Sequence, residues 1–295
     1  MGELNWAGNV VYGAGRVQRP ASVEELAALI AAAPRIRVLG SRHSFNTIAD
    51  SEQLVSLRAL PATIELDRER GTVACPGAMT YGELAPALAA AGVALANLGS
   101  LPHISVAGSI ATATHGSGDR NGNLATAVAG LELVTSAGET LAVSRGERDF
   151  DGMVVALGAI GAVTRVTLDV EPAYGVAQQV YEGLRWDALA EHFDELTACG
   201  YSVSVFTRWE DELAGALWVK RRAGEAPLEA ELFGARAARS QLHPIPGGDP
   251  AACTTQLGAF GPWHERLAHF RLEFTPSAGE ELQSEYLLAR VHARA

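Results

Sequence analysis

The chain has 295 residues, a length that allows one or two domains with a real hydrophobic core. Hydrophobic residues make up 48% of it and charged residues 19%, so we expect a folded protein and not a disordered one. The formal net charge of −11 argues against a nucleic-acid partner, because phosphate binding needs clustered Lys and Arg side chains.

The apolar stretches and the cysteines also exclude several classes of protein. Residues 1–5 lack the basic and apolar regions of a signal peptide, and the apolar stretch 84–101 is interrupted by Pro86, Gly92 and Gly99, so we predict no membrane span. The three cysteines are far apart and form no CxxC pair, so we assign no metal site. We expect a soluble cytoplasmic protein.

The first 172 residues alternate predicted helices and strands. In chain order the patterns predict a capping box at Ser22–Glu25 with a helix to residue 33, a strand over 36–39, a hairpin of 63–66 with 72–75, a second capping box at Thr80–Glu83 with a helix ended by Gly92, a hairpin of 131–136 with 139–143, and a strand over 163–170.

The pattern changes at about residue 173. Strands are predicted over residues 201–208, 217–220 and 270–274, with a loop-rich tract between the last two. We therefore predict an α+β protein with one domain over residues 1–172 and a second over residues 173–295. No internal repeat is evident.

One candidate ligand-binding segment is the stretch 38–45, in which a strand runs into a tight loop. Small residues such as Gly40 and Ser41 let the backbone approach a ligand and point N–H groups into a concavity, which suits phosphates. His43 lies at the tip of this loop. A histidine after a strand is more often an ordinary core or surface residue, so this loop alone is weak support for a site.

A second candidate segment covers residues 99–118. It contains no Asp, Glu, Lys or Arg and shows neither helical nor strand periodicity. We interpret it as backbone wrapped against a large, partly polar ligand, the alternative being a buried glycine-rich turn. Neither segment matches GxxxxGK[ST] or a GxGxxG that follows a strand, which disfavours P-loop and Rossmann proteins.

Taken together, the two segments resemble the FAD-binding fold of the vanillyl-alcohol-oxidase (PCMH-type) flavoproteins and, within it, the bacterial alditol (xylitol) oxidases. The similar stretches run through nearly the whole chain: residues 5–9, 40–46, 100–109, 112–118, 158–170, 201–207, 261–266 and 274–286. The resemblance implies a two-subdomain FAD-binding domain over residues 1–172, followed by part of an α+β substrate domain with an antiparallel sheet. Sugar-lactone oxidases have similar FAD segments.

The resemblance also implies roles for single residues. His43 falls where alditol oxidases attach the flavin covalently through its 8α-methyl carbon, and Ser100 falls where a catalytic serine hydroxyl lies close to flavin and substrate. Arg42 replaces the usual glycine; a left-handed backbone there would cost roughly 1–2 kcal/mol. The implied FAD contacts are Val38, Leu39, Gly40, Ser41, Arg42, His43, Ser44, Ser100, Ser105, Gly108, Ser109, Ile110, Ala111, Thr112 and Val163.

The implied activity is oxidation of a terminal CH–OH of an alditol such as xylitol or sorbitol, by hydride transfer to flavin N5, with dioxygen reduced to hydrogen peroxide. A sugar-1,4-lactone oxidase of the arabinono- or gulono-lactone type is the first alternative. The second is a flavin-binding fragment without turnover, because relatives continue past residue 295 and carry their substrate-binding Glu, Arg and Lys on later strands. We therefore assign no catalytic base and expect a second sheet with an exposed edge.

Overall fold

The computed structural model describes residues 3–209, 212–274 and 281–293. Its strands are β1 (Val17–Gln18), β2 (Arg37–Val38), β3 (Leu54–Val55), β4 (Glu65–Asp67), β5 (Thr72–Pro76), β6 (Val93–Ala94), β7 (Val128–Val134), β8 (Thr140–Ser144), β9 (Ala162–Asp169), β10 (Glu171–Pro172), β11 (Gly175–Arg185), β12 (Ser202–Phe206), β13 (Leu213–Arg222), β14 (Glu231–Leu232), β15 (Ala235–Ala237) and β16 (Gly261–Pro262). Its α-helices are α1 (Val23–Ala32), α2 (Tyr81–Ala90), α3 (Val106–Ala111), α4 (Phe150–Val154), α5 (Trp186–Glu191) and α6 (Phe193–Thr197). Short 3-10 turns cover Thr47–Ala49, Leu57–Ala59, Leu124–Ala127, Pro250–Ala252, Trp263–Glu265 and Arg290–His292.

A five-stranded antiparallel sheet in the order β4-β5-β9-β7-β8 is the centre of the first half. Both predicted hairpins, β4 with β5 and β7 with β8, are confirmed. Along β9 the apolar residues Val166 and Leu168 are almost fully buried while their neighbours are half-exposed, as a period of two requires. The main hydrophobic core lies on this face.

A parallel three-stranded sheet, β1-β3-β2, forms a second layer beside α1. The hydroxyl of Ser22 accepts a hydrogen bond from the N–H of Glu25, as predicted, at 3.2 Å. The return bond differs from a capping box, because the Glu25 carboxylate accepts from the N–H of Ala21 at 2.8 Å and not from Ser22. Leu26 and Ile30 then pack into the core.

The second predicted capping box, at the start of α2, is confirmed. The Thr80 hydroxyl accepts from the Glu83 N–H, and the Glu83 carboxylate accepts from the Thr80 N–H at 2.8 Å. The helix ends as predicted before Gly92, whose φ of 77° only glycine adopts without strain. This helix covers one face of the central sheet through Leu84 and Leu88.

The second half is built on an antiparallel sheet in the order β12-β13-β11-β15-β14, with β16 paired to β11. The strands predicted near residues 201–208 and 217–220 fall in β12 and β13. The strand predicted over residues 270–274 is wrong. Only Phe270 makes a bridge, to Cys253, and the Phe274 N–H closes a turn on the carbonyl of Arg271.

The predicted α+β class is confirmed: short helices lie against mainly antiparallel sheets. In the part of the chain that the structure describes, every helix is too short or too polar to cross a bilayer.

Candidate functional site

The two candidate segments lie side by side and form the walls of a cleft of about 230 Å³. A third wall comes from residues 157–163, just before and within β9. Of the predicted cofactor residues, all but Ser100 and Ile110 line this cleft: Val38, Leu39, Gly40, Ser41, Arg42, His43, Ser44, Ser105, Gly108, Ser109, Ala111, Thr112 and Val163.

One wall of the cleft is the helix α3, which the sequence reasoning missed. We expected irregular backbone over residues 99–118, because the small and apolar residues there hide the helical period. In the structure Ser105, Gly108, Ser109 and Thr112, spaced i, i+3, i+4 and i+7, all line the cleft. A helix places residues at this spacing on one face, so the segment does carry a helical pattern, one of small residues.

Ile110 lies apart from the other predicted cofactor residues on α3. It is 2% exposed and packs in the main core together with Val106, four residues earlier on α3. These two residues form the opposite face of the helix, which holds it against the central sheet. The Ser109 side chain also turns inward: its hydroxyl donates to the Val106 carbonyl at 2.8 Å and lies 3.1 Å from the Tyr81 hydroxyl.

Three glycines lie where the cleft is most crowded. A Cβ at Gly77 would lie 2.5 Å from the Val163 carbonyl oxygen, and a Cβ at Gly40 or Gly108 would lie 2.9 or 2.6 Å from the Ser105 hydroxyl oxygen. At Gly77 the contact is with backbone of the third wall, so a larger residue would push these walls apart, whereas at Gly40 and Gly108 the Ser105 side chain would have to turn away. Sequence reasoning identified two of these glycines but missed Gly77.

Arg42 has a φ of 65°, so the left-handed conformation does fall on this non-glycine residue. Its carbonyl accepts a hydrogen bond from the Trp6 N–H at 2.7 Å, and its guanidinium forms an ion pair with Glu3. The segment at the start of the chain therefore holds the loop in a strained shape.

His43 is held by that segment and by its own loop. Its ring stacks on Trp6 at 5.2 Å between centroids, and its Nδ1 lies 3.1 Å from the Ser41 hydroxyl oxygen. Its Nε2 is buried and has no hydrogen-bond partner among the described residues. Burial lowers the pKa of His43 to about 4, and the nearby His103 and Arg42 act in the same direction, so the imidazole is neutral at pH 7.

The cleft favours an anionic ligand. Arg37 and Arg42 line it, and no Asp or Glu does so in the described part of the chain. Arg37 also donates to the carbonyl of Leu157 at 3.2 Å and so ties the third wall to the first. Sequence reasoning predicted Val163 of this third wall but not Leu157, Gly158 and Gly161.

Ser100 lies outside the cleft, where the loop before α3 meets the second half of the chain. Its carbonyl accepts from the N–H groups of His269 and Phe270 at 3.1 and 3.2 Å, and its hydroxyl oxygen lies 3.4 Å from His269 Nδ1. His269 is 5% exposed and Lys220, which anchors the same segment, is 1% exposed. Neither residue was predicted, because nothing in the local sequence marks a contact across 169 positions.

Comparison with known proteins agrees with this geometry. Residues 14–144 match the family model described as an FAD binding domain. An alditol oxidase from a Streptomyces species is 50% identical over 98% of this chain and 70% of its own length. An L-gulono-1,4-lactone dehydrogenase from Mycobacterium tuberculosis is 37% identical over 58% of this chain and 41% of its own length.

Solved structures show the same fold. Cholesterol oxidase from Brevibacterium sterolicum superposes with a TM-score of 0.66 at 17% identity, covering 76% of this chain and 48% of that one. At this identity the likeness shows the fold alone, and it confirms the predicted PCMH-type FAD-binding architecture. Half of the residues are identical to those of the Streptomyces alditol oxidase along nearly the entire length of this chain. The chain therefore belongs to the alditol oxidase family of FAD-binding proteins.

Proposed function

We propose that the chain binds FAD in the cleft and oxidises the terminal CH–OH of an alditol such as xylitol or sorbitol, with dioxygen as the acceptor. The observation that carries the proposal is the cleft itself. Its glycines bring backbone close to a ligand, its charged side chains are Arg37 and Arg42, and His43, which lines it, has a buried nitrogen without a partner among the described residues. The similarity to the Streptomyces alditol oxidase supports the choice of substrate.

We assign different roles to the two halves of the chain. We assign FAD binding to residues 1–172 and contacts with the substrate to residues 173–295. The boundary is supported by sheet membership, because β10 still pairs with β6 of the first half whereas β11 opens the second sheet. Ser100 lies where the two halves meet and is the proposed substrate-side hydroxyl.

When bound, FAD supplies the hydride acceptor and passes the electrons on to dioxygen. The residues of this chain position it and exclude water. Arg37 would offset part of the charge of the pyrophosphate, whereas the Arg42 guanidinium is already paired with Glu3, and Gly40, Gly77 and Gly108 would let the backbone reach the cofactor. Ser100 would hydrogen-bond the substrate hydroxyl.

His43 is the residue proposed to attach the flavin covalently. It is neutral at pH 7, held by Trp6 and Ser41, and has a nitrogen free of other partners among the described residues. Bond formation would remove one hydrogen from the 8α-methyl group and one from the imidazole. Dioxygen would take both hydrogens and their electrons as hydrogen peroxide, so the step is balanced.

The test uses the purified chain supplied with FAD. We expect peroxide release with xylitol or sorbitol, and yellow colour that stays with the protein after acid precipitation. His43→Ala should leave the colour extractable. Peroxide from a galactono- or gulono-lactone alone would favour a sugar-lactone oxidase, which the similarity to L-gulono-1,4-lactone dehydrogenase makes the second candidate. A yellow protein without peroxide from any of these compounds would contradict both activities.

A further inference from the structure

His269, which contacts Ser100, lies on a segment that several hydrogen bonds hold in place. This segment, residues 266–274, crosses the loop that carries Ser100 and is here called the strap. Besides the two N–H groups that bind the Ser100 carbonyl, the strap carbonyl of Leu272 contacts His103 Nε2 at 2.8 Å. Backbone and side chain of the Ser100 loop are therefore both attached to the strap.

The strap is anchored on its other side by the second half of the chain. The Lys220 ammonium donates to the carbonyls of Leu267 and Ala268, and the Thr254 hydroxyl donates to the carbonyl of Ala268 at 2.7 Å. Lys220 is almost completely buried and its acceptors among the described residues are carbonyls, an arrangement with a high desolvation cost. Because the buried Lys220 ammonium binds the two carbonyls immediately before His269, it fixes the position of that imidazole.

His269 is neutral in this setting, because burial and the neighbouring Lys220 charge lower its pKa well below the ordinary value. A neutral imidazole has one N–H donor and one acceptor nitrogen. The ring packs against Phe206 at 5.3 Å and Trp218 at 5.6 Å, and its Nε2 has no hydrogen-bond partner among the described residues. An N–H is accommodated beside aromatic rings better than a lone pair, which leaves Nδ1 as the acceptor that faces Ser100.

We propose that His269 is a positioning residue: its Nδ1 accepts the hydroxyl hydrogen of Ser100 and so turns the oxygen lone pairs of Ser100 toward the substrate. The inference rests on the proposed function, in which Ser100 meets the substrate hydroxyl. Ser100 then acts as an acceptor and selects substrates that present a hydroxyl donor, such as a polyol. Groups that hold an active-site side chain in one rotamer act on the rate without touching the substrate.

Four variants test the role of His269 in turnover. Asn places an amide oxygen where Nδ1 stands and can accept the same hydrogen bond, whereas Phe keeps the ring and cannot accept. We expect His269→Phe to lower kcat/KM for xylitol by roughly tenfold, with flavin content unchanged, and His269→Asn to restore most of it. The double variant Ser100→Ala with His269→Phe should have the same kcat/KM as Ser100→Ala alone, because the two substitutions remove the same interaction.

A spectroscopic measurement tests the hydrogen bond between Ser100 and His269 independently of turnover. In ¹⁵N-labelled protein we expect Nδ1 of His269 to be the unprotonated nitrogen, with a resonance that shifts in Ser100→Ala and stays in place in the distant control Ser51→Ala. A protonated Nδ1, no shift on loss of the hydroxyl, equal defects in the Phe and Asn variants, or additive effects in the double variant would each overturn the proposal. Absence of polyol turnover in the wild type would instead overturn the proposed function, whatever the tautomer.

Discussion

The Ser41 hydroxyl oxygen accepts a hydrogen bond from the backbone N–H of Ser105 at 2.9 Å and also lies 3.1 Å from His43 Nδ1. One hydroxyl thus connects the loop after β2, the start of α3 and the imidazole proposed to hold the flavin. Since Ser105 is 3% exposed, its N–H has little access to water as a substitute acceptor.

Ser41→Ala should therefore destabilise the fold by about 1–3 kcal/mol, the cost of leaving a buried donor unpaired. Urea denaturation measures the change. Ser51→Ala is the matched control, because the Ser51 hydroxyl is buried without a partner among the described residues, so its removal should not destabilise the fold. Equal effects of the two substitutions would contradict this role of Ser41.

Arg42→Gly and Arg42→Ala should differ although both remove the charge. Only glycine adopts the φ of 65° without strain, so we expect the Gly variant to be more stable than the Ala variant by about 1 kcal/mol. Thermal unfolding measures the difference. At Arg148, which is not among the residues of positive φ, the order should reverse, with Ala more stable than Gly. The same order at both positions would show that backbone strain is not the cause.

Gly77→Ala should open the cleft. The added methyl group would meet the Val163 carbonyl oxygen at 2.5 Å, and relief of that contact requires movement of β9. We expect a loss of about 1–3 kcal/mol in the free energy of unfolding, together with weaker retention of FAD. Gly15→Ala, where the methyl group meets nothing within 4 Å, should leave both quantities nearly unchanged. Normal FAD retention in Gly77→Ala would argue that the cofactor does not use this wall.

Lys220→Met should change how stability depends on pH. Burial lowers the pKa of Lys220 to about 7 from an ordinary value of 10.5, so between these values the unfolded chain binds a proton that the folded chain does not. Stability of the wild type should therefore rise through this window, relative to the Met variant, by about 1.4 kcal/mol per pH unit. Urea denaturation of both proteins at pH 7 and pH 9.5 measures it; parallel curves would show that Lys220 stays charged.

The fold was predictable where the signal was local. The capping box of Thr80 and Glu83 and the hairpin turns are complete within a few residues, and the structure confirms them. Prediction failed where distant parts of the chain decide the outcome. Residues 270–274 alternate like a strand, yet the N–H of Phe270 bonds to the carbonyl of Ser100 and not to a neighbouring strand.

The candidate site was predictable to a similar degree. Both glycine- and hydroxyl-rich segments contribute to one cleft, because unusual composition marked them before any geometry was known. Ile110 was assigned to the cofactor although its side chain packs in the core, because the helical face of α3 was not recognised. Arg37 and His269 were missed because an arginine in a strand and a histidine in a loop look ordinary until the fold brings them to the site.

The walls of the cleft are far apart along the chain, as the bond between Arg37 and Leu157 across 120 positions illustrates. During synthesis, a pocket for the dinucleotide cannot exist before the ribosome has released the chain beyond β9. The loop with His43 is synthesised earlier and cannot bind its ligand until those later residues emerge. Contacts of such long sequence separation also form slowly, so the complete cleft is a late product of folding.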